Sequence, residues 1–68
     1  MKDLYKELLL EIDDIGESRT LETVMFTYGS LYGRVTLLRE LKLISADQMT
    51  HIQKVADETL EEWLLFFN

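Results

Sequence analysis

Ile44-Ser45-Ala46-Asp47-Gln48-Met49 is the most informative stretch of the chain. A serine followed three residues later by a glutamine is a capping box, in which each side chain satisfies an exposed backbone amide of the other. Ile44 and Met49 occupy the two positions of a hydrophobic staple, and Asp47 places negative charge where the helix dipole favours it. A helix therefore begins at Ala46. Downstream, Met49, Ile52, Ala56, Leu60, Trp63 and Phe67 recur at helical spacing and form a buried face. Asp47, His51, Lys54, Glu58, Glu61 and Glu62 form the opposite, polar one.

Upstream of this boundary the same periodicity appears twice more. Leu4, Tyr5, Leu8, Leu9, Ile12 and Ile15 make one stripe, with Asp3 as its cap and Leu10 on the far side. Gly16 stands where a helix C-cap favours a left-handed residue. Gly16-Glu17-Ser18-Arg19-Thr20 is then a turn, with Ser18 or Thr20 capping the next helix. From Leu21 a second stripe runs through Val24, Met25, Tyr28, Leu31, Tyr32 and Val35. A further line, Phe26, Gly33, Leu37, Leu41 and Ile44, lies roughly opposite to it. A helix apolar on two sides is expected to be packed on both, and its glycines make Gly29 to Gly33 a candidate kink. The expected fold is all-α: one domain over 1–68, a bundle of three helices near 3–15, 20–43 and 46–66. Connections this short join antiparallel neighbours.

Composition restricts the class further. Hydrophobic residues make up 47% of 68, which is too many for an acidic disordered chain. There is no cysteine, hence no disulfide framework, no thiolate metal site and no thiol nucleophile. That absence suits a reducing cytoplasm, and cytoplasmic residence is the expectation. Met1-Lys2-Asp3-Leu4 does not read as a signal peptide, and no apolar run reaches the roughly 18 residues of a membrane span. The net charge is −6. It divides as −4 over residues 1–17 (six acids, two bases), +2 over 18–44 (two acids, four bases) and −4 over 45–68 (five acids, one base). Two acidic helices thus flank a mildly basic one.

No pattern of catalytic residues emerges. His51, the lone histidine, has Asp47 one turn before it, but no nucleophile or oxyanion donor accompanies the pair. Carboxylates would have to supply every other ligand of a metal site, and no Glu-x-x-His pair marks a di-metal bundle. No cofactor, no metal and no enzymatic activity are expected. Gly29-Ser30-Leu31-Tyr32-Gly33 is not a phosphate loop, because no strand precedes it and no Lys-Ser/Thr pair follows. Its G-x-x-x-G spacing lets another backbone come close, while Arg34, Arg39, Glu40 and Lys42 exclude a membrane setting. Residues 37–54 have the outline of a helix-turn-helix, with Gln48, Thr50, His51, Gln53 and Lys54 offered to base edges. Asp47, Glu58, Glu61 and Glu62 repel phosphates, however, and clustered lysine and arginine are missing, so nucleic acid is disfavoured.

Protein partners remain. In outline the chain resembles the small helical regulators of bacteria and their mobile elements, a likeness carried by no particular residue. The expected function is a non-enzymatic regulator or inhibitor that binds protein and self-associates as a homodimer. The alternatives are a DNA-binding regulator and an acidic inhibitor of a nucleic-acid-binding protein, which would occupy that protein's basic site. Phe26, Gly29, Gly33, Leu37, Leu41, Trp63, Leu64, Phe66 and Phe67 are the candidate interface. Asp47, Glu58, Glu61 and Glu62 are the candidate acidic surface.

Overall fold

The expected capping box forms. The Ser45 amide donates to Gln48 Oε1 at 2.9 Å and the Gln48 amide donates to Ser45 Oγ at 3.0 Å. The computed structural model describes residues 3–67, and the side chains of residues 3–66. Its elements are α1 (Leu4–Gly16), α2 (Leu21–Glu40) and α3 (Ala46–Phe67), packed into a compact three-helix bundle in which each helix touches the other two. Among the described residues there is no strand.

Each remaining boundary has a local cause. Asp3 caps α1 by accepting from the Lys6 amide, and Thr20 caps α2 by accepting from the Thr23 amide. Ser18 does not cap. Its hydroxyl turns back to the Asp14 carbonyl at 3.0 Å and the residue is buried. Gly16 departs from expectation as well. It is the last residue of α1, no glycine has a positive φ, and the cap is Glu17 with a right-handed backbone (φ −89°). Its amide donates to the Asp13 carbonyl, so the turn closes without a left-handed residue.

The left-handed residue sits at the end of α2 instead. Lys42 has φ 60°, its amide donates to the Arg39 carbonyl, and the Leu43 amide donates to the Leu38 carbonyl. These are the two bonds of a Schellman motif, with lysine where glycine is usual. They stop α2 at Glu40, before residue 43 where the apolar spacing alone would carry it.

The core is built from one stripe per helix. Leu8, Ile12 and Ile15 of α1 meet Val24, Leu31 and Val35 of α2, and Ile52, Ala56 and Trp63 of α3, with Ile44 completing it from the α2–α3 connection. Tyr5, Leu9, Tyr28, Tyr32, Met49 and Leu60 pack partly buried around this centre. Leu10 is exposed, as its position opposite the α1 stripe implies. Four expectations need correcting. Ile44 is core rather than part of the outer line of α2, and Leu21 and Met25 are exposed. In addition, α2 is not packed on two sides, because α1 and α3 share its inner side and leave the outer one uncovered. α2 also runs as one helix through Gly29 and Gly33.

Two substitutions test these boundaries by urea denaturation. Lys42→Gly relieves the left-handed backbone and should add about 0.5–1 kcal/mol of stability. Ser45→Ala removes a cap and should cost about 1 kcal/mol.

Candidate functional site

The rotation of α2 about its own axis determines what the protein shows to solvent, and polar contacts on both flanks set that rotation. Towards α3, the Tyr28 and Tyr32 hydroxyls both donate to Asp57 Oδ1, at 2.5 and 2.8 Å, with the two rings 4.8 Å apart and tilted by 40°. Towards α1, the Arg34 guanidinium pairs with the Glu11 carboxylate. Half its side chain is in water, so that pair steers more than it stabilises. Between the two flanks Val24, Leu31 and Val35 face inward. Residues roughly 180° around the helix then face out.

Those residues are Phe26, Gly29, Ser30, Gly33 and Leu37, all exposed, with Leu41 just beyond the helix end. Phe26 is 75% exposed, Leu37 53% and Leu41 58%. A Cβ placed at Gly29 or Gly33 would meet nothing within 4 Å, so the protein's own backbone makes no close approach there. Each glycine inside a helix costs roughly 0.5–1 kcal/mol relative to alanine. A shallow groove of about 170 Å³ runs beside Phe26 between α1 and α2, rimmed by Glu11, Asp14 and Arg34.

The other candidate residues divide. Trp63 is core, 6% exposed, and its Nε1 donates to the Ser18 carbonyl at 2.7 Å. Leu64 packs partly buried against the same cluster. Phe66 is 86% exposed, and Leu65 beside it is exposed too. The Phe67 side chain lies outside the described residues. The C-terminal turn of α3 therefore closes the base of the bundle with Trp63 and Leu64, while presenting Leu65 and Phe66 outward. Asp47, Glu58, Glu61 and Glu62 are all exposed along α3.

Two of the five side chains assigned to base edges have other partners. Gln48 belongs to the capping box, and His51 Nδ1 meets the Tyr5 hydroxyl of α1, ring against ring at 5.9 Å. Among the described residues no three His, Cys, Asp or Glu side chains converge as a metal ion requires. No described helix is long and apolar enough to cross a membrane.

The sequence pattern does not reveal the Tyr28–Tyr32–Asp57 cluster, because both tyrosines fall on the apolar stripe of α2. A tyrosine at the edge of a core needs a partner for its hydroxyl. That requirement was the available signal, and Asp57 is the acid α3 supplies for it.

Comparison of the chain with protein-family models, with curated proteins and with solved structures finds no match. The functional reading therefore rests on the surface itself.

The cluster has a pH signature. Burial, and then hydrogen bonding to Asp57, raise the Tyr28 phenol well above its usual range. Tyr32 is raised too, by burial first. A raised folded-state value favours the fold while both states are protonated and is lost as pH climbs past the ordinary phenol range near 10. Absorbance titration at 295 nm should show Tyr28 and Tyr32 ionising only with alkaline unfolding. Asp57→Asn should weaken that delay. Separately, Trp63→Phe keeps most of the buried ring but leaves the Ser18 carbonyl without its indole donor, and should cost about 1–3 kcal/mol in a thermal or urea melt.

Proposed function

We propose that the chain is a non-enzymatic protein-binding module, a small regulator or inhibitor that acts through the outer face of α2. The observation that carries this reading is the exposure of Phe26, Leu37 and Leu41 on one side of a helix whose opposite side fills the core. Apolar side chains gathered on the outward side of one helix are a feature of interaction surfaces in soluble proteins. The glycines between them add the possibility of close backbone approach by a partner helix. The lack of cysteine supports a reducing cytoplasm as its setting. The general likeness to small regulators of bacteria and mobile elements supports an origin in such genomes.

A second reading has its own observation. The exposed carboxylates Asp47, Glu58, Glu61 and Glu62 lie on a helix segment of net charge −4, and such a face complements a basic protein. The DNA-binding reading is weaker, since Gln48 and His51 are already engaged within the bundle.

Retention of host proteins on the immobilised chain, at low and high salt, separates these readings. Screening shortens the reach of charge from about 10 Å at 0.1 M to about 3 Å at 1 M. Capture through the apolar face should survive that change and be lost in Phe26→Glu. Capture through the carboxylates should vanish with salt and survive Phe26→Glu. A hydrolytic or transfer activity abolished by His51→Ala would overturn the non-enzymatic reading altogether.

A further inference from the structure

We infer that the occupant of the outer α2 face is a second copy of this chain, its α2 running antiparallel across the first. This rests on the reading of that face as a protein-binding surface and names the partner.

The spacing of the exposed residues is self-complementary. Phe26 and Leu37 lie equally far from the midpoint between Ser30 and Gly33, about 8 Å along the axis at a rise of about 1.5 Å per residue. A two-fold axis through that midpoint sets Phe26 of one copy level with Leu37 of the other, and Ser30 level with Gly33. The large side chains thus meet at both ends of the contact while the small ones meet at its centre, where the helices come closest. Gly29 and Gly33 are open in the isolated chain, with no atom within 4 Å of a built Cβ, so the approach is unobstructed.

Charge points to the same face. A copy of net charge −6 is repelled by another copy wherever their acids meet. Residues 1–17 and 45–68 each carry −4, whereas residues 18–44 carry +2, and the line Phe26, Gly29, Ser30, Gly33, Leu37 is uncharged. The rim fits as well. Arg34 of one copy falls level with Gly29 of the other, beside the groove bordered by Glu11, Asp14 and that copy's own Arg34; Glu11 is already paired there, so Asp14 is the acid the incoming guanidinium can meet. One feature opposes the pairing: Glu22 and Glu40 of opposite copies come within one residue of the same level. Helices crossing at roughly −50° diverge there, which limits the repulsion.

That residual repulsion gives the orientation a test of its own. In the antiparallel pair Glu40→Lys places a lysine beside the partner's glutamate at both ends, and should tighten the dimer several-fold. A parallel pair would exchange glutamate against glutamate for lysine against lysine, and the same substitution would leave its affinity nearly unchanged. Sedimentation equilibrium of the full chain from 10 to 500 µM should give a species of about 16 kDa, twice the 8.0 kDa chain. Leu37→Glu should raise the dissociation constant by about 30-fold or more, with the helical circular dichroism unchanged because the residue lies outside the core. Since the chain has no cysteine, Phe26→Cys and Leu37→Cys chains can be mixed under oxidation. Mixed disulfide pairs should form in preference to either homodimer. An 8 kDa species throughout that range, or cross-linking within each variant alone, overturns the inference. If the chain stays monomeric and Phe26→Glu still abolishes salt-resistant capture of another protein, self-pairing is refuted while the protein-binding reading stands.

Discussion

The bundle depends on one contact between distant parts of its sequence. The Trp63 indole lies in the core and donates to the carbonyl of Ser18, a residue 45 positions earlier. That carbonyl belongs to the turn between α1 and α2, so the last turns of α3 are fastened onto the connection of the first hairpin. A buried carbonyl without a donor is costly, and an indole N–H in an apolar interior is equally so. Each satisfies the other. Ser18 is itself immobilised, through its hydroxyl on Asp14 and its burial, so the acceptor is held in place.

From that closure follows the division of α2 into an inner and an outer side. Three helices form a triangular prism, and each can bury only the sector that faces the axis. The inner sector of α2 is filled by Val24, Leu31 and Val35. Its flanks are tied by tyrosines to Asp57 and by Arg34 to Glu11. Rotating the helix to hide Phe26 would break both ties and expose three aliphatic side chains. The exposed face is therefore a consequence of how the monomer packs.

The surfaces differ in how they can be used. The outer face of α2 is apolar and small at its centre, suited to intimate contact that persists in salt. The exposed carboxylates of α3, Asp47, Glu58, Glu61 and Glu62, are suited to long-range attraction toward a basic surface. A chain this short has few faces, and the two types sit on different helices, so occupation of one leaves the other open.

The sequence by itself determined that there are three helices, where the third begins, and which residues supply most of the core. These follow from periodicity and from bonds between neighbours: the Ser45–Gln48 box, the Thr20 cap and the stripes of Leu8, Ile12 and Ile15 or Ile52 and Ala56. Such interactions span at most one or two turns, so local spacing reveals them. Only the tertiary structure decided which apolar line of α2 is covered, where Ile44 goes, and which partners Tyr5, Tyr28, Tyr32, Arg34 and Trp63 find. Each of these depends on groups 23 to 46 residues apart. The left-handed Lys42 was hidden for a related reason. Glycine is the usual mark of that conformation, and here the bonds of the α2 terminus impose it on a lysine. Local spacing carries no information on how three helices share one interior, and that sharing left Phe26 and Leu37 in solvent.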